Sequence, residues 1–323
     1  MKIGNLELKH GLILAPMAGF TDSAMRRVCY ERGAEYTVTE MVSAKAVVYR
    51  DRKTAALARI DGREGPVGLQ LFGSEPEVVA EAAALLSGGV AGGSAPVTID
   101  INMGCPVHKI FSNGEGSALM RSPSLIHDIV RATTRSISLP VTVKLRLGID
   151  RGSLNAVECA LAAEEGGAAM VCVHGRTRVE MYAGQADMES IANVKSALHI
   201  PLVANGDVTN VESALRALRL TGADGIAVGR GALGNPFVFS EIRAALSGES
   251  FAPPTLDERI ECALYQLSLA ILDKGEERAV REARGQISLY FKGFRGAAEL
   301  RGEINRAETL DDVKRAIEAN LLK

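Results

Sequence analysis

The feature that most constrains the fold of this chain is a series of eight short, apolar or β-branched runs separated by segments of helical composition. They lie at residues 12–15, 36–39, 67–71, 97–101, 141–145, 169–173, 202–204 and 225–228. Buried strands that alternate with helices are typical of parallel sheets, and eight such units predict an α/β fold, the TIM (β/α)8 barrel. A doubly wound open sheet is less favoured, because PMAGFTD rather than a G-x-G-x-x-G phosphate turn follows the first run.

Helix and linker signals divide the rest of the chain. Pro76 opens an Ala- and Leu-rich segment, as expected of a proline in a first helical turn, and Thr209 and Glu212 have the spacing of a capping box. We expect the barrel to occupy residues 1–247, a linker rich in Gly, Ser and Pro residues 248–254, and a small all-helical domain residues 255–323.

Charge and cysteine content restrict the cellular setting. The 37 basic and 39 acidic residues give a net charge of −2, so a nucleic-acid partner would need a local basic patch rather than a global field. Five cysteines without paired spacing favour a reducing, cytoplasmic environment and predict neither a disulfide framework nor a metal site. No run reaches the ~18 apolar residues of a membrane span, and we expect a monomer with no membrane partner.

Cys105 lies just beyond the fourth predicted strand. Gly104 permits backbone angles that other residues resist, and Pro106 stops the strand, so the thiol is expected on a tight turn at the strand's carboxyl end. Gly114 and Gly116 are candidate hinges of a lid over that end. The alternative is a buried cysteine that only packs, since free cysteine is among the most buried residue types.

Active sites of TIM barrels lie at the carboxyl ends of the strands, so the residues there are the candidates for chemistry. The turns after strands seven and eight are glycine-containing and suit a phosphate; they carry Asn205, Gly206, Asp207, Gly229 and Arg230. Gln70, Lys144 and His174 end three other strands and suit a flavin ring, because an amide can bond its edge and an ammonium can stabilise its anionic reduced form. The alternative for His174 is a core histidine with its hydrogen bonds satisfied.

A basic strip lies between residues 278 and 306, where seven basic residues stand against three acidic ones. Tyr290, Phe291 and Phe294 are interleaved with these charges. Such a strip can hold phosphates and stack bases. It can equally be a solvated helix face over a few core aromatics.

Eight motifs follow one another along the chain: APMAGFTD, GLQLFGS, DINMGCP, GEGSALM, VKLRLG, VHGRTR, ANGD and GADGIAVGR. This series resembles the tRNA-dihydrouridine synthases, most closely their bacterial B-type branch. The resemblance covers most of the barrel and continues into the tail at AELRGEIN.

The resemblance implies FMN-dependent reduction of a specific uridine in tRNA to 5,6-dihydrouridine, with NADPH as the source of electrons. Hydride would pass from the reduced flavin N5 to uracil C6, and Cys105 would give a proton to C5. A thiol with an ordinary pKa of ~8.5 is mostly protonated at pH 7 and suits that task.

Carried over by motif, the flavin would be bound by Pro16, Met17, Ala18, Gln70, Lys144 and His174, and its phosphate end by Asn205, Gly206, Asp207, Gly229 and Arg230. The target base would be bound by Asn102, Arg178 and Tyr182. The RNA backbone would be bound by the tail, through Arg281, Arg284, Lys292 and Arg295.

The tail also departs from the B-type pattern. That branch commonly has a Lys-His pair and a tryptophan ahead of its tyrosine, whereas this chain has RGQISLY and no tryptophan. The target position is therefore open, and ribosomal RNA is an alternative substrate. Two further alternatives are a small-molecule flavin oxidoreductase of the dihydroorotate dehydrogenase type, and an RNA-binding module without chemistry.

Overall fold

The computed structural model describes residues 1–321, and the side chains of all of these except residues 52 and 53. Its strands are β1 Lys2–Ile3, β2 Leu6–Glu7, β3 Leu12–Leu14, β4 Tyr36–Val38, β5 Val42–Ser43, β6 Val67–Phe72, β7 Thr98–Asn102, β8 Val141–Leu145, β9 Met170–His174, β10 Leu202–Asn205 and β11 Gly225–Val228. Every one of the eight predicted runs contains one of these strands or includes all but one of its residues.

Eight of the strands close into a parallel barrel. Neighbours pair in the order β3, β4, β6, β7, β8, β9, β10 and β11, and β11 pairs with β3 to complete the ring. The predicted TIM barrel is therefore confirmed. Two features escaped the sequence patterns because they are only two residues long: the antiparallel hairpin β1–β2, and β5, which pairs with the end of β6.

The helices surround the barrel and then continue beyond it. They are α1 Ser23–Glu31, α2 Ala44–Val48, α3 Arg52–Leu57, α4 Pro76–Leu86, α5 His108–Ser112, α6 Pro123–Ser136, α7 Ala156–Glu165, α8 Met188–Ala197, α9 Val211–Thr221, α10 Val238–Ser247, α11 Leu256–Lys274, α12 Glu276–Leu289, α13 Ala297–Ile304 and α14 Leu310–Leu321. Short 3-10 turns lie at Gly62–Glu64, Gly116–Arg121 and Arg230–Ala232. No helix within the described part of the chain is long and apolar enough to cross a membrane.

The predicted start of α9 is off by one residue. Its capping box is formed by Asn210 and Ser213 rather than by Thr209 and Glu212: the Asn210 side chain accepts from the Ser213 amide, and Ser213 Oγ accepts from the Asn210 amide. Both asparagine and serine supply the short oxygen that a helix start needs, so the pattern was ambiguous. The predicted first-turn proline of α4, Pro76, is confirmed.

The inside of the barrel is divided into an apolar part and a polar part. Alternate residues of β3, β4, β9, β10 and β11 form an apolar cluster with the hairpin residues Ile3 and Leu8. The inward positions of β6, β7 and β8 are instead occupied by Gly68, Gln70, Thr98, Asp100, Asn102, Thr142 and Lys144. Gly68 is required beneath this polar side, because a Cβ there would lie 1.9 Å from the Tyr36 hydroxyl. The polar side chains therefore extend along one side of the barrel interior as far as the mouth.

The four C-terminal helices α11 to α14 build an apolar cluster of their own, which also takes in Val28 and Phe237 from the barrel. They dock beside the mouth through α1 and the loop before it. Lys274 Nζ donates to Asp22 at 2.6 Å, and Gln286 Nε2 donates to the carbonyl of Phe20 at 3.2 Å. The helical C-terminal region is confirmed, whereas the domain limits at residues 247 and 255 stay predictions.

Candidate active site

A cavity of about 550 Å³ opens at the carboxyl ends of the barrel strands. Its lining brings together fourteen of the residues singled out in the sequence: Pro16, Met17, Ala18, Gln70, Asn102, Cys105, Lys144, His174, Tyr182, Asn205, Gly206, Asp207, Gly229 and Arg230. They come from seven of the eight strand ends and from loops up to eight residues beyond them. Only closure of the barrel brings such distant segments into one wall.

Cys105 is held at the edge of this cavity by bonds to both of its peptide groups. Its amide donates to Asn102 Oδ1 at 2.9 Å, and its carbonyl accepts from Ser117 Oγ at 2.8 Å. Gly116 packs so closely that a Cβ there would lie 3.0 Å from the Cys105 Cβ. Burial raises the pKa of the thiol above its ordinary value, against smaller opposing effects of a Val107 backbone hydrogen bond and the Arg146 and Lys144 charges. The group is a protonated thiol at neutral pH.

A chain of hydrogen bonds connects the Cys105 turn to the barrel interior. Asn102 Nδ2 donates to Gln70 Oε1 at 2.8 Å, and Gln70 Nε2 donates to Asp100 Oδ2 at 2.7 Å. Asp100 also accepts from Thr142 Oγ1 at 2.5 Å, and burial raises its pKa to about 6. A carboxylate can only accept hydrogen bonds, so Gln70 must turn its Nε2 donor towards Asp100. Gln70 Oε1 is then left to accept from Asn102 Nδ2.

Asp100 was not among the predicted site residues. Its signal was available, because Asp100 and Asn102 lie two residues apart on one strand and therefore face the same side of it. The same chain of bonds occupies Asn102, which was predicted to bind the uracil edge. Asn102 Oδ1 accepts from the Gly104 and Cys105 amides, and Asn102 Nδ2 faces Gln70 and the Met41 sulfur.

Cations without carboxylate partners make the cavity electropositive. Within the described residues, Lys144 has no hydrogen-bond or ion-pair partner, and burial lowers its pKa. Arg146 is 3% exposed, and within the described part of the chain its donors reach only carbonyls: those of Gly104, Thr177 and Met181. Burial lowers its pKa to about 10, so it stays charged at neutral pH. Cations that lack a counter-charge at a cavity, one buried and one partly buried, favour an anionic ligand.

His174 is buried beside these cations. Burial, followed by the charges of Lys144, Arg146, Arg176 and Arg230, lowers the pKa of His174 far below its ordinary value. The imidazole is therefore neutral. Arg176 Nη1 lies 3.3 Å from His174 Nε2, and because a guanidinium cannot accept, Nε2 is the accepting nitrogen and Nδ1 carries the proton.

The ends of β10 and β11 present backbone amides to the cavity. Among the described residues, the amides of Gly206, Asp207 and Gly229 donate to no protein acceptor. Asp207 has a left-handed backbone, with φ of +54°, and its carboxylate accepts from Arg176 Nη2 at 2.8 and 2.9 Å. The side chain of Asp207 is thus engaged, and its amide remains for a ligand.

The two other residues predicted to reach the base lie apart from each other. Tyr182 lines the cavity, is 51% exposed, and has the Arg230 guanidinium 4.7 Å from its ring centroid. Arg178 is not among the lining residues; its guanidinium lies 3.6 Å from the ring centroid of Phe111, on α5.

The four tail residues predicted to bind RNA also differ in their surroundings. Arg281 approaches Glu277 at 3.9 Å, and Arg284 Nη1 donates to the carbonyl of Asn305 at 2.8 Å. Lys292 and Arg295 are exposed and have no partner in the described part of the chain.

The aromatic residues of the basic strip mostly belong to the core. Tyr290 and Phe291 are fully buried, and Phe294 is half-buried. Tyr290 donates to Gln266 Oε1 at 2.6 Å. Of the two interpretations left open by the sequence, stacking of bases is therefore excluded for Tyr290 and Phe291.

The cavity fits a flavin mononucleotide on three counts. Its volume lies within the range of about 300–1,000 Å³ typical of ligand pockets. Three unbonded amides at the ends of β10 and β11 suit a phosphate. The unpartnered Lys144 ammonium suits an electron-rich ring edge.

Two solved structures share this fold. An old yellow enzyme homologue from Zymomonas mobilis aligns with a TM-score of 0.53 and 15% identity, over 80% of this chain and 94% of its own. A histamine dehydrogenase from Rhizobium sp. 4-9 aligns with a TM-score of 0.56 and 14% identity, over 83% of this chain and 50% of its own. Fold and cavity together define a TIM-barrel protein with an open cavity at the carboxyl ends of its strands, and these two structures share its fold.

Sequence comparison narrows this class. The family model described as "Dihydrouridine synthase (Dus)" matches residues 13–323. A probable tRNA-dihydrouridine synthase of Rickettsia conorii is 43% identical, over 94% of this chain and 91% of its own. The tRNA-dihydrouridine synthases B of Pseudomonas aeruginosa and Vibrio cholerae are 39% and 38% identical, over 96% and 98% of this chain and 92% and 98% of theirs. The chain belongs to the dihydrouridine synthase family.

Proposed function

We propose that this protein reduces a specific uridine of tRNA to 5,6-dihydrouridine, with FMN as the bound flavin and NADPH as the reductant. The observation that carries the proposal is one cavity that combines a protonated thiol, an unpartnered ammonium and unbonded backbone amides. Relatives named tRNA-dihydrouridine synthases match nearly the whole chain, and this supports tRNA as the substrate.

Two groups of residues would hold the flavin. The amides of Gly206, Asp207 and Gly229, with the Arg230 side chain, would bind its phosphate. The ring would lie against Pro16, Met17 and Ala18, with Gln70, Lys144 and His174 at its polar edges. When bound, the flavin supplies a hydride for C6 of the uracil. A neutral His174 can donate through one ring nitrogen only, while the Lys144 ammonium stabilises negative charge nearby.

Cys105 would then protonate C5 of the base. Addition of a hydride at C6 leaves negative charge at C5 and O4, and a proton must reach C5 to complete the reduction. Burial keeps the Cys105 thiol protonated until it is needed, and Asn102 and Ser117 hold the turn that presents it. The neighbouring charges of Lys144 and Arg146 favour the thiolate left behind.

The target base would enter the mouth from a flipped-out position. A uridine inside folded RNA cannot reach a cavity at the end of a barrel without leaving its stack. Tyr182 and Phe20 are both exposed at this mouth and offer aromatic surfaces to an extruded base.

The helices of residues 255–323 would act as an RNA-binding domain, joined to the barrel of residues 1–247 through the linker. Lys292 and Arg295 are the better phosphate ligands, because both are exposed and free of partners within residues 1–321. Arg281 and Arg284 would contribute less, since each already has an internal contact.

The test is mass spectrometry of nucleosides from tRNA incubated with the purified protein, FMN and NADPH. The expected result is dihydrouridine in an unmodified tRNA transcript with wild-type protein and a greatly reduced yield in the same time with C105A, while both proteins retain the flavin. Dihydrouridine formed only in ribosomal RNA would contradict the choice of substrate. Turnover of a small molecule such as dihydroorotate, without any change in RNA, would refute the proposal.

A further inference from the structure

Two arginines meet on one aromatic ring at the rim of the barrel mouth. The guanidinium carbon of Arg178, in the loop after β9, lies 3.6 Å from the ring centroid of Phe111 on α5. That of Arg121, at the end of the turn after α5, lies 4.4 Å from the same centroid. The ring therefore joins the segment that follows Cys105 to the loop that carries Tyr182.

Neither arginine is neutralised within the part of the chain that the structure describes. No carboxylate pairs with Arg121 or Arg178, and Arg178 Nε is buried without an acceptor. Lys109, two residues before Phe111 on α5, is exposed and also unpaired there. The nearby acid Glu180 is engaged by Arg151 at 2.6 Å and by the Thr177 amide.

This arrangement is costly for the free protein and favourable for an anion. Two like charges brought to one ring repel each other, and a guanidinium nitrogen without an acceptor loses hydrogen-bond energy. Stacking on Phe111 uses the faces of the guanidinium groups, and the geometry of a guanidinium edge matches the oxygens of a phosphate. A phosphate bound by both arginines would offset the repulsion between them.

The arginine pair lies across the mouth from the C-terminal helices. Arg121 and Arg178 follow the fourth and sixth strands of the barrel ring, whereas the C-terminal helices pack on α1, after the first strand. In an eight-stranded ring these positions are on opposite sides. An RNA whose base enters the mouth would extend over both rims.

We propose that Arg121 and Arg178, oriented by Phe111, bind a backbone phosphate of the RNA beside the extruded uridine. The proposal rests on the proposed function and adds a second RNA contact, on the barrel, to the one on the C-terminal helices. Contacts on both rims would hold the strand over the mouth while the base lies inside, next to Cys105.

The test compares the tRNA affinity of wild-type protein with that of R121Q, R178Q and the double variant, by fluorescence anisotropy at several salt concentrations. R135Q is the matched control, because Arg135 is an exposed arginine at the far end of α6, away from the mouth. Each single variant is expected to lose about threefold to tenfold in affinity, and the slope of log K against log salt is expected to flatten by about 0.7–0.9 for each lost phosphate contact. R135Q should match the wild type.

Three outcomes overturn the proposal. Unchanged affinity and slope in the double variant would show that the arginines do not meet RNA. Slower reduction of the flavin by NADPH, with tRNA affinity unchanged, would assign the pair to the dinucleotide instead. If the wild-type protein neither binds tRNA nor forms dihydrouridine, the proposed function fails as well. Retained FMN absorbance in each variant shows that the barrel is folded.

Discussion

At the barrel mouth, Lys144 and Arg146 are inward-facing cations without a carboxylate partner among the described residues, whereas on the C-terminal helices Lys274 and Arg278 both pair with Glu282 at 3.0 and 2.8 Å. The first arrangement costs free energy until an anion arrives, and the second satisfies itself in the free protein. Cations that lack a carboxylate partner within the described residues therefore identify the ligand cavity. On the C-terminal helices, unpaired cations such as Lys292 and Arg295 are exposed to solvent, and what they bind depends on the partner that reaches them.

The largest expected effect comes from removing the thiol at the mouth. C105A is expected to lower dihydrouridine formation about 10²- to 10⁴-fold, because a general acid contributes about that much. Single-turnover reaction of pre-reduced protein with tRNA measures it. C159A is the control, since Cys159 is buried in α7 and packs in the core outside the barrel interior. Equal rates for C105A and wild type would remove Cys105 from the chemistry.

The pH dependence of stability tests this comparison, because the contributions of the two regions are expected to change with pH in opposite directions. The folded-state pKa of Asp100, raised by burial to about 6, lies above its ordinary value of about 3.9. The folded chain therefore holds this proton more tightly than the unfolded chain, and the resulting stability is lost as pH rises from about 4 through 6. Wild type is expected to lose up to about 3 kcal/mol relative to D100N over this window.

Glu282 is the matched case on the helices. Although burial acts to raise its pKa, hydrogen bonds from Arg278 and Lys274 lower it. Its contribution is therefore present above the ordinary pKa and lost as pH falls through the lowered one. Urea unfolding should give opposite slopes against wild type, for D100N between pH 4 and 7 and for E282Q as pH falls below about 4.5. Slopes of the same sign for both variants would contradict the expected electrostatic difference between the barrel interior and the C-terminal helices.

A smaller effect is expected from the lysine in the cavity. K144M retains much of the apolar stem but removes the ammonium, so FMN affinity should fall about tenfold to hundredfold, as for loss of one charge-assisted interaction. Titration of the apoprotein by flavin fluorescence measures it. K45M is the control, because Lys45 pairs with Glu75 on the surface at 2.5 Å. Unchanged flavin affinity in K144M would mean that the Lys144 ammonium does not interact with the flavin.

The smallest effect is expected on the tail. K292Q with R295Q should weaken tRNA binding about threefold to tenfold and flatten its salt dependence, because both side chains are exposed and unpaired among the described residues. R284Q should instead lower stability by about 1 kcal/mol, since Arg284 donates to the carbonyl of Asn305. If R284Q alone changed the salt dependence, the assignment of roles within the tail would be wrong.

The eight strands could be predicted from sequence because a buried parallel strand must be apolar along its whole length, and this signal is local. The cavity residues could be predicted for a related reason. Once the strands are located, every residue just beyond a carboxyl end faces the same mouth. Asn205, Gly206 and Gly229 were found in this way, without any knowledge of their mutual distances.

Which polar atoms remain free for a ligand depends on three-dimensional packing. Sequence patterns could not tell that Asn102 already serves the Cys105 turn, that Arg178 stacks on Phe111, or that Tyr290 and Phe291 belong to the core. These facts depend on contacts between segments tens of residues apart, and a hydrogen bond used within the fold cannot be read from either partner alone. The barrel and the residues around its mouth follow from local sequence patterns, whereas packing sets which of those residues are available to a ligand.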